Sequence, residues 1–150
     1  MRAVDFRNYK KPTEVKRFID TLMNEKLKGT GLTASTAMFL IELDPGLVLT
    51  NKELAEKVGV TMALSTRVTR QLQEMGLIEN KPRGRSCGIR LTPKGENIRA
   101  TVTGYAEECL EYLFSDFTDD EIELMEMFYN RIDTRIDLYY RGHGSGASGK

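Results

Sequence analysis

The sequence contains few cysteines and histidines and no long apolar run. Its two cysteines, Cys87 and Cys109, are too few for a disulfide framework, so we expect two reduced thiols in a cytoplasmic protein. The single histidine, His143, lies near the C-terminal end, which leaves no group of residues for a histidine-based catalyst or a zinc site. We therefore expect no enzymatic activity and no cofactor.

The longest apolar run, residues 37–41, has five residues, whereas a membrane-spanning helix needs about 20. The first residues do not combine an apolar stretch with a small-residue cleavage site, so we expect no secretion signal and no membrane association. With 150 residues the chain is long enough to form one domain with its own core.

The formal net charge is zero, which argues against nucleic-acid binding if the charges are spread evenly. They are not spread evenly. Residues 61–95 contain seven basic and two acidic residues, whereas residues 105–137 contain two basic and eleven acidic residues. The first segment is therefore suited to face an anion, and the second is expected on the far side of the molecule.

Apolar spacing, capping residues and glycines divide the chain into predicted elements. The predicted helices are 12–28, 32–43 (capped by Thr33 or Ser35), 51–58 (capped by Thr50 with Glu53 as its capping-box partner), 61–75 (capped by Thr61), 92–115 (capped by Thr92) and 118–140 (capped by Thr118). The β-like runs 77–79 and 88–91 form a hairpin around a basic turn, 80–87. We predict an N-terminal helix in residues 1–30 that contributes to dimerisation, a DNA-binding unit in 31–95, a helical dimerisation region in 96–140 and a disordered Gly/Ser-rich tail in 141–150.

Residues 51–76 have the pattern of a helix, a tight turn at Gly59 and a second helix, the arrangement in which one helix braces another in the major groove. The predicted apolar face of the second helix consists of Leu64, Val68, Leu72 and Met75. The opposite face offers groups that suit base edges and phosphates: Ala63, Thr66, Arg70 and Gln73, flanked by Met62, Arg67 and Thr69. A solvated face on an ordinary helical domain is the alternative.

The basic hairpin after these helices predicts a wing, with Arg83 and Arg85 at its tip. Gly84 and Gly88 would let the backbone turn tightly or approach DNA closely, and arginines gain from the negative potential of a narrow minor groove. A solvated loop that happens to be basic is the alternative. The predicted DNA-binding residues are Thr61, Ala63, Thr66, Arg67, Arg70, Arg83 and Arg85.

Several short motifs follow one another between residues 54 and 95: Leu54-Ala55, Gly59-Val60, Arg67-Val68, Leu72, Met75-Gly76-Leu77-Ile78, Arg83-Gly84-Arg85 and Leu91-Thr92-Pro93-Lys94-Gly95. In this order they resemble the MarR family of winged helix-turn-helix transcriptional regulators, and the flanking helices extend the resemblance to roughly residues 12–138. The resemblance implies a mainly α fold with a small β-hairpin wing and a helical dimerisation region. It also implies a homodimer that binds double-stranded DNA at a pseudo-palindromic operator, often as a repressor released by a small-molecule effector.

The sequence departs from the family pattern at two positions. Lys81-Pro82-Arg83 stands where the family usually has an aspartate that holds an arginine, which predicts a wing that is oriented differently or more mobile. Ser65 stands where the family usually has an apolar residue, so the rotation of the second helix is left open.

A heptad-like seam is predicted on the last helix, where apolar residues recur at spacings of three and four. The predicted dimerisation residues are Ile122, Met125, Tyr129, Ile132 and Ile136. Residues 98–113 offer a partner within the chain, so an intrachain helical hairpin is the alternative. A two-fold dimer is favoured because a second apolar face, including Leu124 and Phe128, would otherwise stay exposed.

Phe18, Met38 and Tyr105 are candidates for lining an effector pocket where three predicted helices meet, with core packing as the alternative. Cys87 lies among Arg83, Arg85 and Arg90, which would favour its thiolate. Two other functions are therefore considered: a thiol-based redox-sensing regulator, and a winged-helix protein–protein interaction module that does not read DNA.

Overall fold

The computed structural model describes residues 11–143. In that range the chain forms six α-helices and one three-stranded antiparallel sheet, so the predicted mainly helical fold with a hairpin wing is confirmed. The elements are α1 Lys11–Lys26, α2 Ala34–Ile41, β1 Leu49–Thr50, α3 Asn51–Val58, α4 Met62–Glu74, β2 Ile78–Arg83, β3 Ser86–Leu91, α5 Pro93–Leu113 and α6 Asp119–Gly142. Residues 1–10 of the predicted N-terminal unit and 144–150 of the predicted tail lie outside the described residues. α6 extends two residues beyond its predicted end at Tyr140.

A threonine in extended conformation precedes each helix from α2 to α6. In every case its hydroxyl oxygen accepts the backbone N–H three residues on: Thr33, Thr50, Thr61, Thr92 and Thr118. Such a side chain satisfies one of the backbone donors that a helix start leaves without a partner. The caps of the last four helices are confirmed, and Thr33, not Ser35, caps α2.

The sheet has the strand order β1-β3-β2, so β2 is an edge strand. The hairpin strands extend further than predicted, and only Gly84 and Arg85 remain in the turn. Gly84 has a φ of +60°, which is the left-handed position that a two-residue hairpin turn needs first and that glycine adopts at little cost. Pro82 is compatible with its place in β2 because an edge strand has backbone groups outside the ladder. β1 has two residues and was not predicted.

α2 lies at the centre of the core. It packs against α1, α3, α4 and α5. Phe39 and Leu40 are 1% and 0% exposed there. The carbonyl oxygen of Ile41, at the end of α2, accepts a 3.0 Å hydrogen bond from Arg99 Nη2 of α5, and the same nitrogen pairs with Asp44 at 2.7 Å. This arginine therefore fixes the position of α2 against α5.

The start of α5 is fixed against the end of the helix-turn-helix. Thr92 Oγ1 donates to the carbonyl oxygen of Gly76 at 2.6 Å, and the Thr92 N–H donates to that of Leu77 at 3.1 Å. In the first turn of α5, Gly95 lies so close to the backbone just before β2 that a Cβ atom there would be 1.8 Å from the Leu77 oxygen. The Leu-Thr-x-x-Gly motif is thus a helix cap followed by a backbone contact that only glycine permits.

α6 does not pack along residues 98–113 as the hairpin alternative predicted. α5 instead packs against α1, α2 and β3, and buries Val102 and Cys109 in the core. No residue of α6 is buried, and its predicted seam residues Tyr129, Ile132 and Ile136 are about half exposed. The intrachain hairpin is therefore wrong. Among the helices of residues 11–143, none is long and apolar enough to cross a membrane.

Candidate nucleic-acid interface

One amide side chain joins the two helices of the helix-turn-helix. Asn51, the first residue of α3, accepts a 2.6 Å hydrogen bond from Ser65 Oγ and donates a 3.0 Å bond to Thr66 Oγ1. Its Nδ2 atom also lies 3.4 Å from the carbonyl oxygen of Met62. Because all three partners belong to α4, Asn51 fixes both the crossing of the helices and the rotation of α4. The sequence analysis did not identify this residue.

The turn between these helices follows the prediction. Gly59 ends α3 with a φ of +81°, and its N–H donates to the carbonyl oxygen of Ala55 at 2.9 Å. Ala55 is 2% exposed. A small residue in the helix pair and a glycine in the turn let α4 follow α3 closely.

The buried face of α4 is rotated from the predicted one. Four residues of this helix are buried: Ser65, Val68, Thr69 and Leu72. Leu64 and Met75, which the prediction placed in the apolar face, are half-buried. Ser65 is fully buried because Asn51 supplies its hydroxyl with an acceptor, so a polar residue fits the position that is usually apolar in the family. Thr69 was predicted beside the DNA-facing surface, and that prediction is wrong.

The five predicted contact residues of this helix and its cap are exposed: Thr61, Ala63, Thr66, Arg67 and Arg70. Two of their hydroxyl groups have partners within the protein. Thr61 Oγ1 accepts from the Leu64 N–H at 3.2 Å as the helix cap, so its proton is still free to be donated. Thr66 Oγ1 donates to the Met62 carbonyl oxygen at 2.9 Å, so it offers only a lone pair to a further partner.

Three predicted arginines lack a carboxylate partner in the part of the chain that the structure describes. Within residues 11–143, Arg67, Arg70 and Arg85 form no ion pair. The first turn of α4 also contains no acidic residue, so no carboxylate of that turn offsets the positive end of the helix dipole. The exposed side of α4 and the turn of the wing therefore present a surface that attracts phosphate groups.

The wing is tied to both helices of the helix-turn-helix. Gln73 Nε2 of α4 donates to Asn80 Oδ1 of β2 at 2.7 Å, so Gln73 contacts the wing and does not belong to the predicted DNA-facing surface. Arg83 Nη1 lies 2.6 Å from Glu53 Oε1 and 2.7 Å from Oε2, which pairs the wing with α3. This hydrogen bond is the main reason that the pKa of Glu53 is lowered below its ordinary value of 4.5.

Gly88 serves the packing of the sheet. It is buried, and a Cβ atom there would lie 2.3 Å from Val48 Cγ1 and 2.9 Å from the carbonyl oxygen of Lys81. The predicted close approach of Gly88 to DNA is therefore wrong. The tight turn predicted for this hairpin is made by Gly84.

Cys87 is exposed in the wing, whereas Cys109 is buried in the core. Two of the three arginines that were expected to favour a Cys87 thiolate have carboxylate partners. Arg83 pairs with Glu53, and Arg90 pairs with Glu79 at 2.7 Å. Their charges are thus largely compensated locally, which removes much of the support for a thiol-based sensor.

The three candidate effector residues lie on α1, α2 and α5. Phe18 is 36% exposed and stacks on Tyr112, with ring centroids 6.0 Å apart. Met38 is 40% exposed. Tyr105 is half-buried against the core, and Lys26 Nζ lies 5.4 Å from its ring centroid. Phe18 therefore has an aromatic neighbour and Tyr105 a cationic one, whereas Met38 is open to solvent.

Comparison with known proteins identifies the fold. No family model matches the sequence. The chain is 27% identical over 119 residues to the transcriptional repressor MprA of Escherichia coli K12, which covers 76% of this chain and 68% of MprA. The crystal structure of reduced MarR from Escherichia coli has a TM-score of 0.70 at 21% identity, covering 88% of this chain and 98% of MarR. A MarR-family transcriptional regulator from Silicibacter pomeroyi has a TM-score of 0.78 at 18% identity, covering 87% of this chain and 90% of its own. The chain thus has the fold of the MarR family of winged helix-turn-helix regulators, and the resemblance seen in the sequence motifs is confirmed.

Proposed function

We propose that this chain is a sequence-specific DNA-binding transcriptional regulator that acts as a homodimer on a pseudo-palindromic operator. The observation that carries the proposal is a set of exposed arginines on a braced helix and the adjoining wing turn, Arg67, Arg70 and Arg85, which have no carboxylate partner within residues 11–143. The similarity to a protein named a transcriptional repressor supports repression as the direction of regulation. No catalytic role is proposed.

In this proposal α4 occupies the major groove. Its 13 residues give a length of about 20 Å, and Asn51 braces its N-terminal half against α3. Arg67 and Arg70 contact guanine edges or phosphates, and Ala63 contacts base edges or methyl groups. Arg85, at the turn of the wing, enters the flanking minor groove, where negative potential is concentrated.

The second copy binds along α6. Leu124, Phe128 and Ile132 are 46%, 48% and 53% exposed on a helix that buries none of its residues in its own chain. An apolar surface of this kind is costly in water and favours a two-fold interface. The acidic segment 105–137 keeps this interface away from DNA, so two recognition helices lie on the order of 34 Å apart.

We extend the proposal to a small-molecule effector that binds beside α1, α2 and α5. The exposed apolar side chains of Phe18 and Met38 and the half-buried ring of Tyr105 support this position. A regulator of this kind acts where the chromosome lies, which agrees with the cytoplasmic location expected from the sequence.

The test begins with selection of duplexes from a random-sequence DNA library. We expect a pseudo-palindromic duplex whose affinity falls steeply as salt rises. Arg67→Ala should weaken binding by about tenfold or more and lower the salt slope by about one for each phosphate contact that is lost. Arg141→Ala, in the last turn of α6, is the control and should leave both quantities unchanged. Equal, weak affinity for all duplexes that Arg67→Ala does not alter would reject the proposal and favour a protein-binding module.

A further inference from the structure

We infer that Arg83 is a positioning residue that holds the wing against α3, and that Arg85 is the wing arginine that contacts DNA. This inference rests on the proposed function and changes the role that the sequence predicted for Arg83. The evidence is the contact of the Arg83 guanidinium with Glu53 and the position of Arg83 at the outer end of the hairpin.

Arg83 is the last residue of β2, directly before the turn of the wing. Its register partner is Ser86, the first residue of β3. The contact with Glu53 therefore acts at the outer end of the hairpin. The inner part of the hairpin has its own contacts, through Asn80 to α4 and through the Glu79–Arg90 pair. Without Arg83, the section between Asn80 and the turn would lack a charged link to α3.

Glu53 is itself held in place. It is the capping-box partner of Thr50, with its backbone N–H donating to Thr50 Oγ1 at 3.2 Å and its carboxylate accepting from the Thr50 N–H at 3.4 Å. Thr50 also pairs with β3 through Gly88. The carboxylate thus has a defined position at the start of α3, and it holds the side chain of Arg83 in a defined position as well.

Gly88 of β3 is a neighbour of Arg83 in the sheet. A Cβ atom at Gly88 would lie 3.5 Å from Arg83 Cβ and would clash with Val48. Gly88 is paired with Thr50 on one side and with Lys81 on the other, so it lies between β1 and β2 in the sheet. Thr50, which caps α3, and the strand that carries Arg83 are therefore joined through the same residue of β3.

The two wing arginines differ in electrostatics. Arg83 shares its charge with a carboxylate, so the pair contributes little net positive charge to the surface. Arg85 forms no ion pair within residues 11–143 and is exposed in the turn. A phosphate that contacts Arg83 would lie beside the Glu53 carboxylate and be repelled by it, whereas Arg85 has no carboxylate partner within residues 11–143.

The direction in which one substitution changes the DNA affinity distinguishes between the two possible roles of Arg83. Glu53→Gln retains a capping side chain but removes the charge that binds Arg83. If Arg83 contacted phosphate, this change would release it and strengthen DNA binding. If Glu53 positions the wing, binding weakens although a negative charge has been removed. Glu56→Gln is the matched control, because Glu56 is an exposed carboxylate on the same helix.

The experiment combines two readouts on the full chain. The first is the mobility of a nitroxide on Cys87, which is exposed in the wing while Cys109 is buried. The second is the affinity for the selected duplex at several salt concentrations. Glu53→Gln and Arg83→Ala should both raise nitroxide mobility and weaken binding about twofold to fivefold, with an unchanged salt slope. Arg85→Ala should leave mobility unchanged and lower the salt slope, and Glu56→Gln should not weaken binding.

Stronger DNA binding by Glu53→Gln would overturn the inference. So would an Arg83→Ala variant that keeps the wild-type nitroxide mobility or lowers the salt slope as Arg85→Ala does. If the wild-type chain selects no duplex, the proposed function fails, but the nitroxide measurement still decides whether the Arg83–Glu53 pair orders the wing.

Discussion

Ser65 Oγ of α4 donates a 2.6 Å hydrogen bond to Asn51 Oδ1 of α3. Ser65 is fully buried, so its hydroxyl has no access to water and depends on this one amide oxygen. The same amide donates to Thr66, one residue further along α4. The stability of the fold and the orientation of α4 therefore depend on the same side chain, that of Asn51.

We predict that Asn51→Ala lowers the free energy of unfolding by about 1–3 kcal/mol, because a buried hydroxyl loses its acceptor. It should also weaken DNA binding, since α4 loses the contact that fixes its rotation. Urea unfolding and duplex titration measure the two effects. Asn97→Ala, at an exposed position of α5, is the control and should change neither. Unchanged stability of the Asn51 variant would contradict the role given to this hydrogen bond.

Gly95→Ala is predicted to destabilise the fold by at least about 2 kcal/mol, because the new methyl group would overlap the backbone oxygen of Leu77 at 1.8 Å. Relief of this overlap requires α5 to move away from β2, which disturbs the base of the wing. Thermal or urea unfolding measures the loss.

Gly104→Ala supplies the matched control for this substitution. Gly104 lies in the same helix, and a Cβ atom there would have nothing within 4 Å. Alanine should therefore stabilise the protein by up to about 1 kcal/mol through its better helix propensity. Equal effects of the two substitutions would show that the contact between Gly95 and Leu77 is not the determining factor.

Local signals in the sequence were sufficient to predict most of the helices. Thr50 with Glu53 three residues on, or Thr92 followed by Pro93, define a helix start through contacts within one turn. The hairpin was also predicted, but its strands were too short in the prediction because Pro82 and the glycines indicated a longer turn. Pro82 fits the strand only because β2 is an edge, and the edge position depends on the order of the strands.

Contacts between distant residues could not be predicted in the same way. Glu53 was identified as a capping residue, yet nothing in its neighbourhood indicates a partner 30 residues away in Arg83. The buried face of α4 was misplaced because Ser65 was not counted among the residues of its apolar face, whereas Asn51, 14 residues earlier, makes its burial favourable. Periodicity describes one helix at a time, and these positions are decided by the element that packs on it.

The order of the wing is predicted to depend on pH at acidic values. Arg83 lowers the pKa of Glu53 below 4.5, so the pair is fully formed above that pH and is lost as pH falls through the lowered pKa. Nitroxide mobility at Cys87 should stay constant from neutral pH down to about 4.5 and rise only below it. Glu53→Gln should show high mobility throughout. A wild-type transition well above pH 4.5, or the same transition in the Gln variant, would contradict this assignment.

The exposed seam of α6 gives a prediction about oligomeric state. Ile132 is 53% exposed in the isolated chain, and Ile132→Glu would place a charge in the proposed dimer interface. In a two-fold dimer each substitution occurs twice, so a loss of about 2 kcal/mol at each copy raises the dimer dissociation constant by about a thousandfold. Light scattering should show a dimer for the wild type and a monomer for Ile132→Glu. Asn130→Glu, at an exposed position on the polar side of the same helix, adds the same charge away from the apolar residues and should remain dimeric. A wild-type chain that is monomeric at high concentration would mean that another partner, not a second copy, covers this helix.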